Sequence, residues 1–194
     1  MPAPYATAES RSFWGAVLNG DTAVRVSTGF QQLDKLLDGG LRPGLYVLLA
    51  APGAGKTTGC LQMADAFTRA DHDVIFFSGE MPIPDLLAKI YSRYSYIYAD
   101  EVPPMSASDI LKLSDNHCAT EIAQFLYRAF LPAASRTVFV PSKMINTATA
   151  IQDTVRDHIA ATGNKPVVII DYLQIIASKF GEATERQKLQ RKQS

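Results

Sequence analysis

An apolar run, Leu45-Tyr46-Val47-Leu48-Leu49, leads directly into Ala50-Ala51-Pro52-Gly53-Ala54-Gly55-Lys56-Thr57-Thr58. No other feature constrains the chain as tightly. A strand, a glycine-rich turn ending in Gly-Lys-Thr and then a helix is the sequence form of a triphosphate cradle. Small residues let backbone N–H groups point inward at phosphate oxygens, where bulky side chains would block the approach. Lys56 supplies a mobile positive charge for the β- and γ-phosphates, and the Thr57 hydroxyl is a ligand for magnesium. The helix that follows turns its positive N-terminal end toward the same phosphates. The pattern's first glycine is Ala50 here, so the strand exit must tolerate a Cβ. A chance small-residue turn before a helix is the plain alternative, and it requires strand, loop, Gly-Lys-Thr and helix to fall in order by accident.

The 194 residues suffice for one sizeable domain with a buried core. Hydrophobic residues make up 47% and charged ones 20%, the profile of a soluble globular protein. Nineteen basic and nineteen acidic residues cancel, so no global field advertises a nucleic-acid partner. Any such contact would be local, or made by a ring of subunits. Cys60 and Cys118 have no metal-ligand spacing and are expected to be reduced, buried thiols. Met1-Pro2-Ala3-Pro4-Tyr5 does not open an export signal, and no apolar run approaches a membrane span. A soluble cytoplasmic protein with no membrane partner is the expectation.

Helical spacing of Phe13, Trp14, Val17 and Leu18 predicts a short N-terminal helix stopped by Asn19-Gly20. Phe30, Leu33, Leu36 and Leu37 predict another, ended by Gly39-Gly40. Leu45 to Leu49 is expected to form the first strand. Cys60, Leu61, Ala64 and Phe67 line one side of a helix reaching about Arg69. Val74 to Phe77 reads as a central strand covered on both faces, and Pro82 opens a helix with Ile83, Leu86, Leu87 and Ile90 on one side. Ser106 to Asp109 can cap a short helix, and residues near Thr120 to Phe130 read as helical. Thr137 to Val140 is a third strand. A helix from about Thr147 to Thr162 stops at Gly163, and Val167 to Asp171 is a fourth strand. Alternating strands and helices imply a mainly parallel sheet with helices on both faces and ligands beyond the strands' carboxyl ends.

That rule puts two acids at the same edge as the phosphate loop. Asp171 ends a strand of four apolar β-formers, where it can hold magnesium opposite Thr57. Glu80 follows Phe76-Phe77-Ser78-Gly79 and can orient or deprotonate an attacking water. Its position fits equally a first-turn helix glutamate favoured by the helix dipole.

Four stretches together resemble the C-terminal ATPase domain of DnaB-type replicative helicases. They are Ser27 to Asp34 with Gly39 to Gly44, the loop Ala50 to Thr58, Phe77-Ser78-Gly79-Glu80-Met81, and Ile169-Ile170-Asp171-Tyr172-Leu173-Gln174. Asp-Tyr-Leu-Gln after such a strand is the most specific, and alanine at the loop's first position also suits that family. The resemblance covers about residues 25 to 180. It implies a RecA-like α/β core over 25–194, preceded by an N-terminal segment or linker helix over 1–24. It also implies ATP and Mg2+ as cofactors, with Lys56 and Glu80 catalytic and Thr57 and Asp171 the magnesium residues. The implied assembly is a homo-hexamer driving DNA unwinding on single-stranded DNA. The family's γ-phosphate sensor, DNA-binding loops and arginine finger are expected after the fourth motif, past Ser194, so the late strands are expected to be missing. The competing reading is a nucleotide-binding regulator or loader of the RecA/KaiC/RadA type without helicase activity.

Other features carry less. Tyr91, Tyr94, Tyr96 and Tyr98 could stack on bases, but packing of a helix end against the sheet is the simpler expectation. His72, His117 and His158 lack ligand spacing. Gln174 could sense the γ-phosphate or simply bond within the fold. The charged tail, with Glu182 and Arg186 at i,i+4, reads as a solvated helix face.

Overall fold

Val74-Ile75-Phe76-Phe77-Ser78 forms β1, and all 5 of its residues are buried. A strand apolar on both faces can be satisfied only in the middle of a covered sheet. Here it is flanked by β2 (Thr137–Pro141) and β3 (Val167–Asp171), both parallel to it, in the order β2-β1-β3. Val74 stands opposite Thr137 and Val167 at one rim; Ser78 stands opposite Pro141 and Asp171 at the other. This computed structural model describes residues 25–115, 117–144 and 147–171. The expected N-terminal helix, Gln174 and the charged tail lie outside those residues, as does the whole segment 1–24.

Helices cover both faces. On one side lie α2 (Lys56–Arg69), α3 (Ile83–Ile97) and α5 (Ala119–Ala134), which bury Leu61, Ala64 and Phe67, Leu86 and Ile90, and Ile122, Leu126 and Phe130. Phe76 meets Phe139 across this face with ring centroids 5.8 Å apart. On the other side, Ile151 and Val155 of α6 (Ala148–Thr162) pack against Ile75, Phe77, Val140 and Ile170. Each fully buried Phe or Ile contributes about 1.5–3 kcal/mol of transfer free energy. Local signals delimit the helices. Ser106 and Asp109 form a reciprocal capping box on the short helix α4 (Ala107–Leu111). The Thr147 hydroxyl accepts from the Ala150 amide at the start of α6, and Gly163 ends it.

The tyrosines behave mainly as packing residues. Tyr94 is buried, with its hydroxyl donating to Asp65 at 2.6 Å, and burial followed by that carboxylate pushes the phenol up to about 12. Tyr91 and Tyr98 make edge contacts with Phe130 and Phe125. Tyr96 alone of the four is exposed.

The expected first strand is not one. Leu45, Tyr46, Val47, Leu48 and Leu49 belong to no ladder and are exposed, Leu45 by 91% and Leu49 by 86%. A strand exists only by pairing its main chain, and among the described residues this run has no ladder partner. The apolar pattern reports a preference for burial, which no ladder meets among the described residues. The sheet therefore has three described strands, not four.

The residues separate into two compact units, one ending at Val47 and one starting at Leu48. In the first, Val26 and Leu41 exchange both backbone hydrogen bonds at 2.8 Å. Asp34, on α1 (Gln31–Leu36), accepts from Ser27 Oγ, Thr28 N and Thr28 Oγ1 at 2.6, 2.8 and 2.6 Å. Gly40, at φ +130°, lies so near the chain that a Cβ would sit 2.5 Å from the Val26 carbonyl oxygen. This packing accounts for the Ser-Thr-Gly-Phe and double-glycine stretches of the sequence.

Candidate functional site

The loop before α2 is shaped by its glycines. Gly53 and Gly55 hold φ of 76° and 91°, left-handed values that suit a residue without Cβ. A Cβ built on either would meet nothing within 4 Å, so the loop faces open space. Gly55 is the N-cap of α2, and no side chain caps this 14-residue helix. Its first-turn amides have no intrahelical partner, which leaves donors and the positive dipole end for an anion. Lys56 Nζ donates to the carbonyl oxygens of Ala50 at 2.8 Å and Ala51 at 3.1 Å. The ammonium thus lies over the loop's own entrance.

Residues 114 positions apart meet next to it. Thr57 Oγ1 donates to Asp171 Oδ2 at 2.6 Å. Asp171 is 7% exposed, and its carbonyl oxygen accepts the Gly79 N–H at 2.6 Å. That bond prolongs the β1–β3 ladder past Ser78, the register partner of Asp171. Ser78 Oγ donates to the Met81 carbonyl at 2.5 Å and so folds the chain around Glu80, which is exposed two residues beyond the strand. Glu80 follows the carboxyl end of β1, Asp171 closes β3, and Thr57 meets Asp171 there.

An alcohol and a carboxylate oxygen in contact are the donor types preferred by a small hard cation, and an uncapped helix start with an ammonium suits polyphosphate. The chain's own groups therefore fit a nucleoside triphosphate with Mg2+. Cys60 also belongs to this neighbourhood. Burial, and then the negative charge of Asp171, push its thiol up to about 11. The expectation of two buried thiols needs correction, because Cys60 is only part-buried and Cys118 is exposed. Sequence reasoning also missed the Gly79 amide and the Ser78 hydroxyl. Their signal was available: a Ser-Gly pair at the end of a central strand neighbouring the Asp171 strand.

The chain matches the family model described as DnaB-like helicase C terminal domain over residues 25–193. It is 24% identical over 153 residues to the replicative DNA helicase DnaB of Haemophilus influenzae, covering 78% of this chain and 31% of that protein. It is 39% identical to the DNA repair protein RadA of Listeria monocytogenes over 64 residues, which is 32% of this chain and 14% of that one. The ATPase domain of G40P superposes with a TM-score of 0.68 at 21% identity, covering 88% of this chain and 58% of that chain. That likeness shows the fold, a RecA-like α/β core. The RadA similarity is confined to a short stretch, whereas the helicase match runs through nearly all of residues 25–193, which favours the helicase reading over the RadA one. The chain spans about a third of the length of the curated replicative helicases it matches.

Proposed function

Because the chain belongs to the family of DnaB-like helicase C-terminal domains, we propose that it is the ATP-binding and hydrolysing motor domain of a hexameric replicative DNA helicase. The single observation that carries this reading is the Thr57–Asp171 contact at 2.6 Å beside the glycine-rich loop. The loop Ala50 to Thr58 cradles the phosphates of ATP through its backbone N–H groups, Pro52 having none, and Lys56 leaves the Ala50 and Ala51 carbonyls to neutralise the terminal ones. Thr57 and Asp171 would hold Mg2+, which would supply charge neutralisation across the phosphates. The Thr57 hydroxyl donates its hydrogen to the Asp171 carboxylate, which would leave its oxygen lone pairs available to the cation. Glu80, exposed at the tip beyond β1, orients the attacking water and takes its proton. Family membership supports extending the proposal to a homo-hexamer on single-stranded DNA in the cytoplasm, with an arginine from the adjacent subunit completing each site.

Calorimetric titration with Mg-ATP tests the site. The parent chain binds with measurable heat, and Lys56→Ala loses at least tenfold in affinity, about 1.4 kcal/mol. Equal heats in both chains would remove the phosphate loop from the proposal. Turnover assayed with and without single-stranded DNA tests the motor: DNA-stimulated hydrolysis supports it, and tight binding without turnover supports a nucleotide-binding regulator or loader instead.

A further inference from the structure

The opposite rim of the sheet contains a buried carboxylate with no part in the chemistry above. Asp73 precedes β1 and is 7% exposed. Its Oδ1 accepts from Arg136 Nη1 at 3.2 Å, at the head of β2. Its Oδ2 accepts from Asn164 Nδ2 at 3.0 Å, in the turn before β3, and lies 3.0 Å from His158 Nε2 of α6. Burial disfavours the charged carboxylate, but the bonds from Asn164, His158 and Arg136 outweigh it and hold the group below its usual range. The backbone adds a bond from Val167 N–H to the Asp73 carbonyl at 2.8 Å.

β3 needs such a hold. Its first four residues, Val167-Val168-Ile169-Ile170, are apolar and β-branched on both faces. A slip of one residue would exchange apolar side chains for apolar side chains, so hydrophobic burial discriminates weakly between registers. The same slip would move Asp171 by about 3.3 Å and turn its side chain to the opposite face. Its bond to Thr57 could not survive that displacement. Among the described residues β3 pairs only with β1, and long-range side-chain hydrogen bonds hold it at two places: Asn164 on Asp73 just before its start and Asp171 on Thr57 at its end.

We propose that Asp73 and Asn164 form a register lock, a positioning pair that fixes β3 against β1 and so sets Asp171 at the height of Thr57, about 16 Å away along the strand. The lock rests on the reading of Thr57 and Asp171 as the magnesium residues. Asn164 is exposed in its turn, so its side chain can be shortened without opening the core.

The test compares the full chain with Asn164→Ala and Arg136→Ala. Arg136→Ala also removes a donor to Asp73, but on the β2 side. Two quantities are measured: amide hydrogen exchange across residues 167–171, and the Mg2+ concentration giving half-maximal binding of a fluorescent ATP analogue. Asn164→Ala is expected to speed β3 exchange and raise the half-saturating Mg2+ concentration about fivefold each, while metal-free nucleotide affinity stays within twofold. Arg136→Ala, at equal or larger loss of thermal stability, is expected to change neither by more than twofold. Unchanged exchange and Mg2+ dependence in Asn164→Ala overturn the lock, as do equal shifts in both variants, which would mean a general loss of stability. If the parent chain shows no Mg2+ dependence, the magnesium reading fails instead, and the exchange data alone decide the lock.

Discussion

The two rims of the same three-stranded sheet are built on opposite plans. At the rim where the strands begin, one carboxylate, Asp73, is met by Arg136, Asn164 and His158. Arg136 is further held by the Asp71 carboxylate at 3.0 Å. At the rim where the strands end, an uncapped helix start, two left-handed glycines and an exposed Glu80 leave donors and acceptors uncommitted. The one tight side-chain pair there, Thr57 with Asp171, joins the helix to the edge strand. Saturated polar contacts hold a structure in place, whereas spare valence at a concave edge is what a ligand needs. The molecule keeps these requirements apart by the length of a strand.

That separation can be broken experimentally. The largest effect is expected from Glu80→Gln at the ligand rim. DNA-stimulated turnover should fall at least about a hundredfold, as for loss of a general base, with thermal stability nearly unchanged. A variant that keeps full turnover would return Glu80 to the role of a helix-start carboxylate. At the opposite rim, Asp73→Asn should cost about 1–3 kcal/mol in urea unfolding, because a buried polar group loses part of its bonding. Nucleotide contacts at the loop itself are untouched by that change.

Asp73 also gives the comparison a pH dependence. Its folded-state carboxyl is held below the ordinary value of 3.8, so the unfolded chain binds the proton more readily. The stability it contributes is fully present above that ordinary value and is lost as pH falls through the lower folded value. Unfolding followed by circular dichroism should show this loss below about pH 4, with a shallower slope in Asp73→Asn. The smallest effect is expected away from both rims. Ser106→Ala removes the capping box of α4 and should cost about 1 kcal/mol by the same urea measurement, leaving nucleotide affinity unaltered.

Much of this was readable along the chain. Lys56 begins a helix after a glycine turn, Val74 to Phe77 of β1 are buried as their continuous apolarity required, and Gly163 closes α6. Those are local matters, governed by backbone sterics, capping and burial preference. Leu45 to Leu49 has the same apolar character as β3 and looks like an equally good strand, yet only β3 is in the ladder. Asp71-His72-Asp73 reads as a polar turn, and nothing nearby in sequence announces that Asp73 is buried under side chains from positions 136, 158 and 164.

Residue types and their spacing already commit the chain to a glycine-bounded loop before a helix, a buried strand and an acid at the end of β3. These follow from which φ,ψ values, caps and burial patterns each short segment can satisfy by itself. The meeting of Thr57 with Asp171, the pairing of β3 but not of Leu45–Leu49, and the gathering of donors on Asp73 emerged only in the folded molecule. Pairing between distant segments depends on packing summed over many residues, which no short apolar run reveals by itself.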